Sequence, residues 1–473
     1  MTTAGIITAG VPERAAVLSF LGSAVDADPA AAARGGTAAA GAPADVVDAI
    51  AGLGLPPGAL VLIAMPNGRL TLAAFFGTLL AGAVPVLVPP GAGAARITEI
   101  SRAFGGAALI APRIDPARYG ATTVHPLGDR CEAVLLGDAG EPRYRYQPGE
   151  VVMMTSGTSG ITSGCLHGID AMLRNAGRHA TSIGQRAGDT VLVSLPLYYS
   201  YGLVAQALAA FVRGSRLVVS GPPFTPASFA GTVRAHDVTV SSLTPSGAAR
   251  LAAEPPADPA GLRVLTVGGD ALDRAHVRTL LTAGPQRELY LTYGLTEAGP
   301  RVTTLAAHRE PEHRWTSVGT PLPGVRTHLR EPIGDGPGAE LVVESDTVMR
   351  RRLPGSAPAV PGTVATGDRF DIDDDGYHFF RGRTADSVIV GGEKVWLPSV
   401  RRLAGEVPGV RHARTTVYRD DRDELRYSLD VTVDDPGPRT AAEIERALNR
   451  VLLRAERPHR ITLCQAPTEE WRK

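Results

Sequence analysis

Residues Met153–Gly164 read MMTSGTSGITSG. Hydroxyl side chains at Thr155, Ser156, Thr158, Ser159, Thr162 and Ser163 interleave with Gly157, Gly160 and Gly164, and an apolar strand-like stretch, Glu150–Met154, precedes them. Glycine lets a backbone turn sharply and expose its N–H groups, and hydroxyls add further donors. Such a loop suits the oxygens of a polyphosphate. It has neither the spacing nor the lysine of a Walker loop, and a plain Ser/Gly linker would share its composition, so its meaning rests on what surrounds it.

Around the loop, helix-like and strand-like stretches alternate from Pro43 to about Pro323. Ala44–Gly52 and Leu70–Leu80 carry helical apolar spacing, while Ala59–Met65 (ALVLIAM) and Ala81–Val88 (AGAVPVLV) read as buried strands, the second entered through a turn. The alternation predicts an α/β architecture with largely parallel sheets. Beyond Pro323 the style changes: Val325–Glu331 and Glu340–Val348 read as strands, and Asp371–Phe380 (DIDDDGYHFF) as a turn at Asp375-Gly376 followed by a strand. After Gly382 comes a tail with a short strand (Ser387–Val390), a helix (Pro398–Gly405), strands around Ala413–Tyr418 and Leu425–Val433, and a helix (Ala441–Ala455). That is an α+β unit of roughly ninety residues, within the usual domain range.

Composition narrows the function classes. A chain of 473 residues is too long for one ordinary core, and 44% hydrophobic with 20% charged residues is a soluble globular balance. The formal net charge is zero, which argues against a nucleic-acid footprint. Cys131, Cys165 and Cys464 fit neither a zinc spacing nor a disulfide framework, so a reduced, cytoplasmic setting is expected. The start, MTTAGIITAGVPERAAV, lacks the basic and apolar regions of a signal peptide. The apolar segments Gly58–Met65 and Leu70–Pro89 are read as buried strand and helix and not as membrane spans. Lysine is nearly absent: Lys394 and Lys473 stand alone among 48 Lys plus Arg. Where charge alone matters Arg suffices, so a surviving Lys suggests a site that wants a compact ammonium.

Five further motifs follow the loop: Pro196–Leu203 (PLYYSYGL), Val267–Leu272 (VGGDAL), Tyr293–Glu297 (YGLTE), Thr366-Gly367-Asp368 and Gly382-Arg383. In this order the set resembles the acyl-adenylate-forming, or AMP-binding, superfamily, which holds acyl- and aryl-CoA ligases, luciferase and the adenylation domains of peptide synthetases. The resemblance implies a large domain, residues 1–384, of parallel-sheet α/β layers with a small β-barrel-like part, and a small mobile α+β lid, residues 386–473. It implies ATP and Mg2+ as cofactors, with CoA or a carrier-protein pantetheine as acceptor. Carried over by motif, Thr155, Ser156, Gly157, Thr158, Ser159 and Gly160 would grip the phosphates. Gly268, Gly269, Asp270 and Ala271 would lie against adenine, with Tyr293 stacked on it beside Gly294. Thr296 would bind phosphate, Glu297 would hold magnesium, and Asp368 and Arg383 would meet the ribose. Tyr198, Tyr199, Ser242, Gly268 and Gly294 would wall the acid pocket, with Ser241 and Thr244 nearby.

The family's terminal motif ends on a lysine that bridges the acid and the α-phosphate, and from Pro467 (PTEEWRK) Lys473 falls at the matching offset. Ser387–Val395 (SVIVGGEKV) is similar to the loop that enters for thioester formation, which places Lys394 in that loop. The chain departs from the pattern at Thr162 and Ser163, where Pro and Lys are usual, at Ala385, where the swivel Asp or Lys is usual, and at Arg472, which replaces a Gly. The expectation is adenylation of a small aryl or short acyl acid followed by transfer to a thiol, by a monomer or homodimer that binds neither nucleic acid nor membrane, with an acyl carrier protein as a partner to consider. The departures leave two alternatives open: an unusual acid such as nitrite or transfer to an amine, and a non-catalytic relative kept as a binding protein.

Overall fold

The computed structural model describes residues 7–8, 11–27, 42–137, 144–155, 163–221, 224–253, 261–331, 338–383, 387–390, 393–422 and 424–465. The chain divides into two compact units. The larger takes in the chain to Pro90, Ser101–Thr155 and Gly164–Thr384; the smaller joins Gly91–Ile100 to the chain from Ala385 on.

The larger unit is built on two eight-stranded sheets and one four-stranded sheet. At the centre of the first, Leu60–Ile63 pairs in parallel with Val84–Leu87 and Gly106–Ala111, and Val84–Leu87 pairs in parallel with Glu150–Thr155. All four residues of Leu60–Ile63 are buried, as is every residue of Val84–Leu87. Continuous apolar runs with no polar alternation belong to strands covered on both faces. The second sheet runs in parallel from Val25–Asp26 through Arg216–Val219, Thr190–Val193, Val240–Leu243 and Val264–Gly268 to Glu288–Gly294.

The helix Arg69–Leu80 buries every residue from Thr71 to Leu79, so it is covered all round. It belongs to a core that also takes Val61 and Ile63 of the first sheet and Val191 and Val219 of the second. Phe20, Phe76 and Phe211 meet there from three helices, with ring centroids 5.1 to 6.4 Å apart. Edge-on and tilted ring contacts of this kind add to plain area burial.

The expectation of parallel sheets needs a correction at the edges. Arg301–Ala306 returns antiparallel to Glu288–Gly294, because the link between them is too short for a parallel crossover. In the first sheet Glu132–Leu135 and the edge strand Arg351–Leu353 also pair antiparallel. The four-stranded sheet is an antiparallel meander of Val325–Arg330, Ala339–Ser345, Thr363–Ile372 and His378–Arg383. The fold is thus α/β with a separate antiparallel sheet and a small C-terminal unit.

In that small unit, the helices Leu397–Gly405 and Pro438–Val451 pack with the strands Val410–Arg419, Leu425–Val433 and Arg460–Gln465 around Val400, Leu429, Val431 and Ile444. Two sequence readings change here. Lys394 lies on a strand, Glu393–Trp396, paired in a hairpin with Ser387–Val390, and not in a loop. The last helix stops at Val451, because Glu456 accepts the Leu453 N–H at 2.8 Å and closes a short turn in place of further helix. Among the described residues no helix is long and apolar enough to cross a membrane, and none of the three cysteines is in a disulfide.

Phe76, fully buried at the meeting of three helices, supports a direct test. Phe76→Ala is expected to cost about 3–5 kcal/mol of stability, read as a lower urea midpoint at an unchanged slope.

Candidate functional site

Four consecutive parallel strands of the second sheet end on one edge: Thr190–Val193, Val240–Leu243, Val264–Gly268 and Glu288–Gly294. In open α/β sheets the crevice beyond the carboxyl ends of the strands is where ligands bind. The residues that leave these ends are Gly269–Ala271 after the third and Leu295–Glu297 after the fourth.

Close packing fixes both exits. A Cβ on Gly294 would lie 2.1 Å from the Pro300 carbonyl oxygen, so only glycine lets the chain double back there. A Cβ on Gly268 would lie 2.5 Å from Thr292 Oγ1, and Gly269 sits at φ +100°, a conformation side chains resist. Gly269, Asp270 and Ala271 are exposed, and Asp270 accepts the Ala271 N–H at 2.8 Å.

The chain leaving Gly294 makes a short 3-10 turn, Thr296–Ala298. Thr296 Oγ1 lies 2.9 Å from Ser200 Oγ, which brings the YGLTE and PLYYSYGL motifs together. Glu297 Oε1 accepts a hydrogen bond from Arg352 Nη2 at 3.0 Å. Arg352 comes from the edge strand Arg351–Leu353, 55 residues away, and nothing in the sequence announced it. His167 lies next to this turn, 2% exposed. Burial pushes its pKa down to about 4, against the opposing pull of the Thr296 main chain and the Glu297 charge, so the ring is neutral at pH 7.

Tyr293 donates a hydrogen bond from its hydroxyl to Asp368 Oδ2 at 2.7 Å. Its ring packs edge-on against Phe370, 4.8 Å between centroids, and only 8% of the residue is exposed. What the geometry gives Tyr293 is therefore a grip on Asp368. Asp368 lies on a strand, Thr363–Ile372, at a register shift where Gly367 takes φ +71°. The Thr366 hydroxyl accepts the Asp368 N–H at 3.0 Å and Glu340 accepts the Gly367 N–H at 2.9 Å, which hold the bulge in shape. Across the ladder Asp368 pairs with Arg383, so those two expected ribose positions are cross-strand neighbours.

On the side of the expected acid pocket, Tyr198 and Tyr199 are half-buried with ring centroids 4.6 Å apart. Ser242 is only 2% exposed. Its hydroxyl accepts from Thr266 at 2.8 Å, and Thr266 in turn lies 2.9 Å from the Tyr201 hydroxyl. Because Thr266 has spent its one proton on Ser242, Tyr201 is the donor. Ser242 thus braces Tyr201 from within a central strand. Ser156–Gly160 and Lys473, expected to hold phosphate, lie outside the described residues; Thr155 ends the strand that leads into that loop.

The comparisons with known proteins point the same way as the motifs. A family model described as AMP-binding enzyme matches residues 46–351. Over 281 residues the chain is 28% identical to the 2-succinylbenzoate–CoA ligase of Bacillus pumilus, covering 57% of this chain and 56% of that one. Over 386 residues it is 28% identical to the salicyl-AMP ligase/salicyl-S-ArCP synthetase of Mycobacterium tuberculosis, covering 73% and 67%. The chain therefore spans little more than half the length of the first relative and about two thirds of the second. Among solved structures, an amide bond synthetase from Marinactinospora thermotolerans has a TM-score of 0.76 over 96% of this chain and 95% of its own, at 22% identity, which is a likeness of fold.

Buried neutral histidines make the fold acid-sensitive. His179, fully buried in the helix Ile169–Ser182, has its pKa pushed down to about 3 by burial and by the Arg301 charge. Above an ordinary histidine pKa of 6.5 both states are neutral and the stability is complete. As pH falls below that value the unfolded chain binds the proton first, so stability drops toward the folded-state value. Thermal melts between pH 7.5 and 4.5 should show a shallower decline for His179→Leu than for the unsubstituted chain.

Proposed function

The chain belongs to the AMP-binding enzyme family, and on that premise we propose that it transfers AMP from ATP to a small carboxylic acid and then passes the acyl group to a thiol. A carboxylate oxygen attacks the α-phosphorus, the bond from that phosphorus to the bridging oxygen breaks, and pyrophosphate leaves. In the second step a thiolate attacks the acyl carbon and AMP departs. The observation that carries this reading is the meeting, on one sheet edge, of the Gly268-Gly269 turn, the Thr296–Ser200 contact and the Tyr293–Asp368 hydrogen bond.

Chemistry of this type asks the protein for position and charge more than for covalent help. Asp368, oriented by Tyr293, offers its carboxylate to a pair of ribose hydroxyls. The Thr296 and Ser200 hydroxyls share one hydrogen bond at 2.9 Å, which leaves one hydroxyl proton of the pair for a phosphate oxygen. Ser156–Gly160 and Lys473 enter the proposal on their sequence positions.

A nucleotide-bound magnesium ion takes most of its ligands from phosphate and water and needs one or two carboxylates from the protein. Glu297, whose side chain is 15% exposed, and the neighbouring Thr296 hydroxyl match that requirement, provided Glu297 shares or gives up Arg352. Bound there, the ion would neutralise charge on the leaving pyrophosphate. Among the described residues no cluster of three or more metal-ligating side chains suggests any other metal.

For the acceptor, the two curated relatives supply the support: one is named for CoA and the other for a carrier protein. We take a thiol of that kind as the acceptor, and a small aryl or short acyl acid as the substrate.

Pyrophosphate release over a panel of aryl, acyl and amino acids and nitrite is the test. Release that depends on both ATP and one acid class is expected, with Asp368→Asn lowering kcat/KM for ATP by about 10- to 100-fold, the worth of one charged hydrogen bond. No acid-dependent release from any member of the panel would sink the proposal. Lys473→Ala should lower kcat for adenylation; an unchanged rate would remove that residue from the mechanism.

A further inference from the structure

Arg301 is 3% exposed and sits on the strand Arg301–Ala306, opposite Gly294 in the ladder. Asn175 clamps its main chain from both sides, accepting the N–H at 2.8 Å and donating to the carbonyl at 2.9 Å. The guanidinium lies over the Tyr201 ring, 4.5 Å from its centroid. Among the described residues Nε and Nη2 have no hydrogen-bond partner, and no carboxylate forms an ion pair with the group. Burial pulls its pKa down from the ordinary arginine value. The neighbouring His179 is neutral, so it adds neither a counter-charge nor a competing cation.

A buried cation without a counter-ion is costly, and a fixed planar fork matches a carboxylate or sulfonate face. A glycine backs onto it: a Cβ on Gly268 would sit 3.3 Å from Nη2. Gly268 and Gly294 are also the two backbone positions expected to border the acid.

We infer that Arg301 binds a second anionic group on the acid, so the substrate is a short dianion such as a dicarboxylate or a sulfonated acid. This rests on the adenylation reading above. The reacting carboxylate is a poor occupant for Arg301, because an oxygen tied to a buried guanidinium loses the electron density it needs to attack phosphorus. ATP is a poor occupant too: its phosphates belong with Thr296 and Ser200, and a 3%-exposed guanidinium suits the tail of a small acid better than a polyphosphate chain.

Two measurements test this separately from adenylation itself. In thermal-shift titrations without nucleotide, malonate, succinate and 3-sulfopropanoate should stabilise the protein more than propanoate, butanoate and benzoate at matched ionic strength. In pyrophosphate-release assays the ratio of kcat/KM for the preferred dianion to that for its monoanionic counterpart should fall at least 100-fold in Arg301→Gln. Arg301→Lys should keep part of the preference, and KM for ATP should stay within about threefold in both variants. Equal shifts from dianions and monoanions would overturn the inference, as would an unchanged ratio or a loss confined to ATP in a folded Arg301→Gln protein. If Arg301→Gln does not fold, the lysine variant and the titrations of the unsubstituted chain decide. Arg301-dependent dianion binding with no pyrophosphate release for any acid would uphold the Arg301 site and defeat the adenylation reading instead.

Discussion

The hydrogen bond from Tyr293 to Asp368 joins the last residues of a parallel strand to a bulge in an antiparallel one. The two strands belong to different sheets, built by different rules, and this contact sets the distance between their functional ends. It is held from both sides. Behind Tyr293, the ring packs on Phe370, two residues from Asp368, so the apolar contact and the polar one fix the same pair of strands. Behind Asp368, Thr366 and Glu340 hold the backbone of the bulge. Neither strand could be displaced without leaving a buried carboxylate or phenol to find another partner, and a buried polar group without one is expensive.

Two arginines near the same strand end carry opposite instructions. Arg352 has its counter-charge, Glu297, within the protein. Arg301 has none among the described residues and is the more deeply buried of the two. A paired charge holds a turn in shape; an unpaired one in a dry environment asks for a ligand. That contrast separates the side chains that build the expected nucleotide site from the one proposed to select the acid.

Much of the frame was legible in the sequence because it is written in short apolar runs. Leu60–Ile63 and Ser387–Val390 stand out as four-residue strands with no help from context. The strand Thr363–Ile372 did not, since TVATGDRFDI carries a glycine and two aspartates and breaks the alternation that marks a strand; its bulge is the reason. Glu393–Trp396 does not stand out as a strand either, because the glycines just upstream dominate a four-residue segment. The site divided in the same way. Motif residues such as Asp368, Tyr293 and Thr296 could be found by their neighbours in the chain. Arg301 and Arg352 could not, because one is defined by Tyr201 and Gly268 and the other by Glu297, all distant in sequence from the residue they explain.

The proposed AMP transfer requires attack of a carboxylate oxygen at the α-phosphorus of ATP. Supplying a free acid that the enzyme accepts, with both carboxyl oxygens labelled with 18O, and weighing the nucleotide after complete turnover to the thioester, reads that event directly. One 18O atom in each AMP released is the predicted result. Label found in inorganic phosphate, with ADP as the nucleotide product, or AMP formed without label, would contradict it.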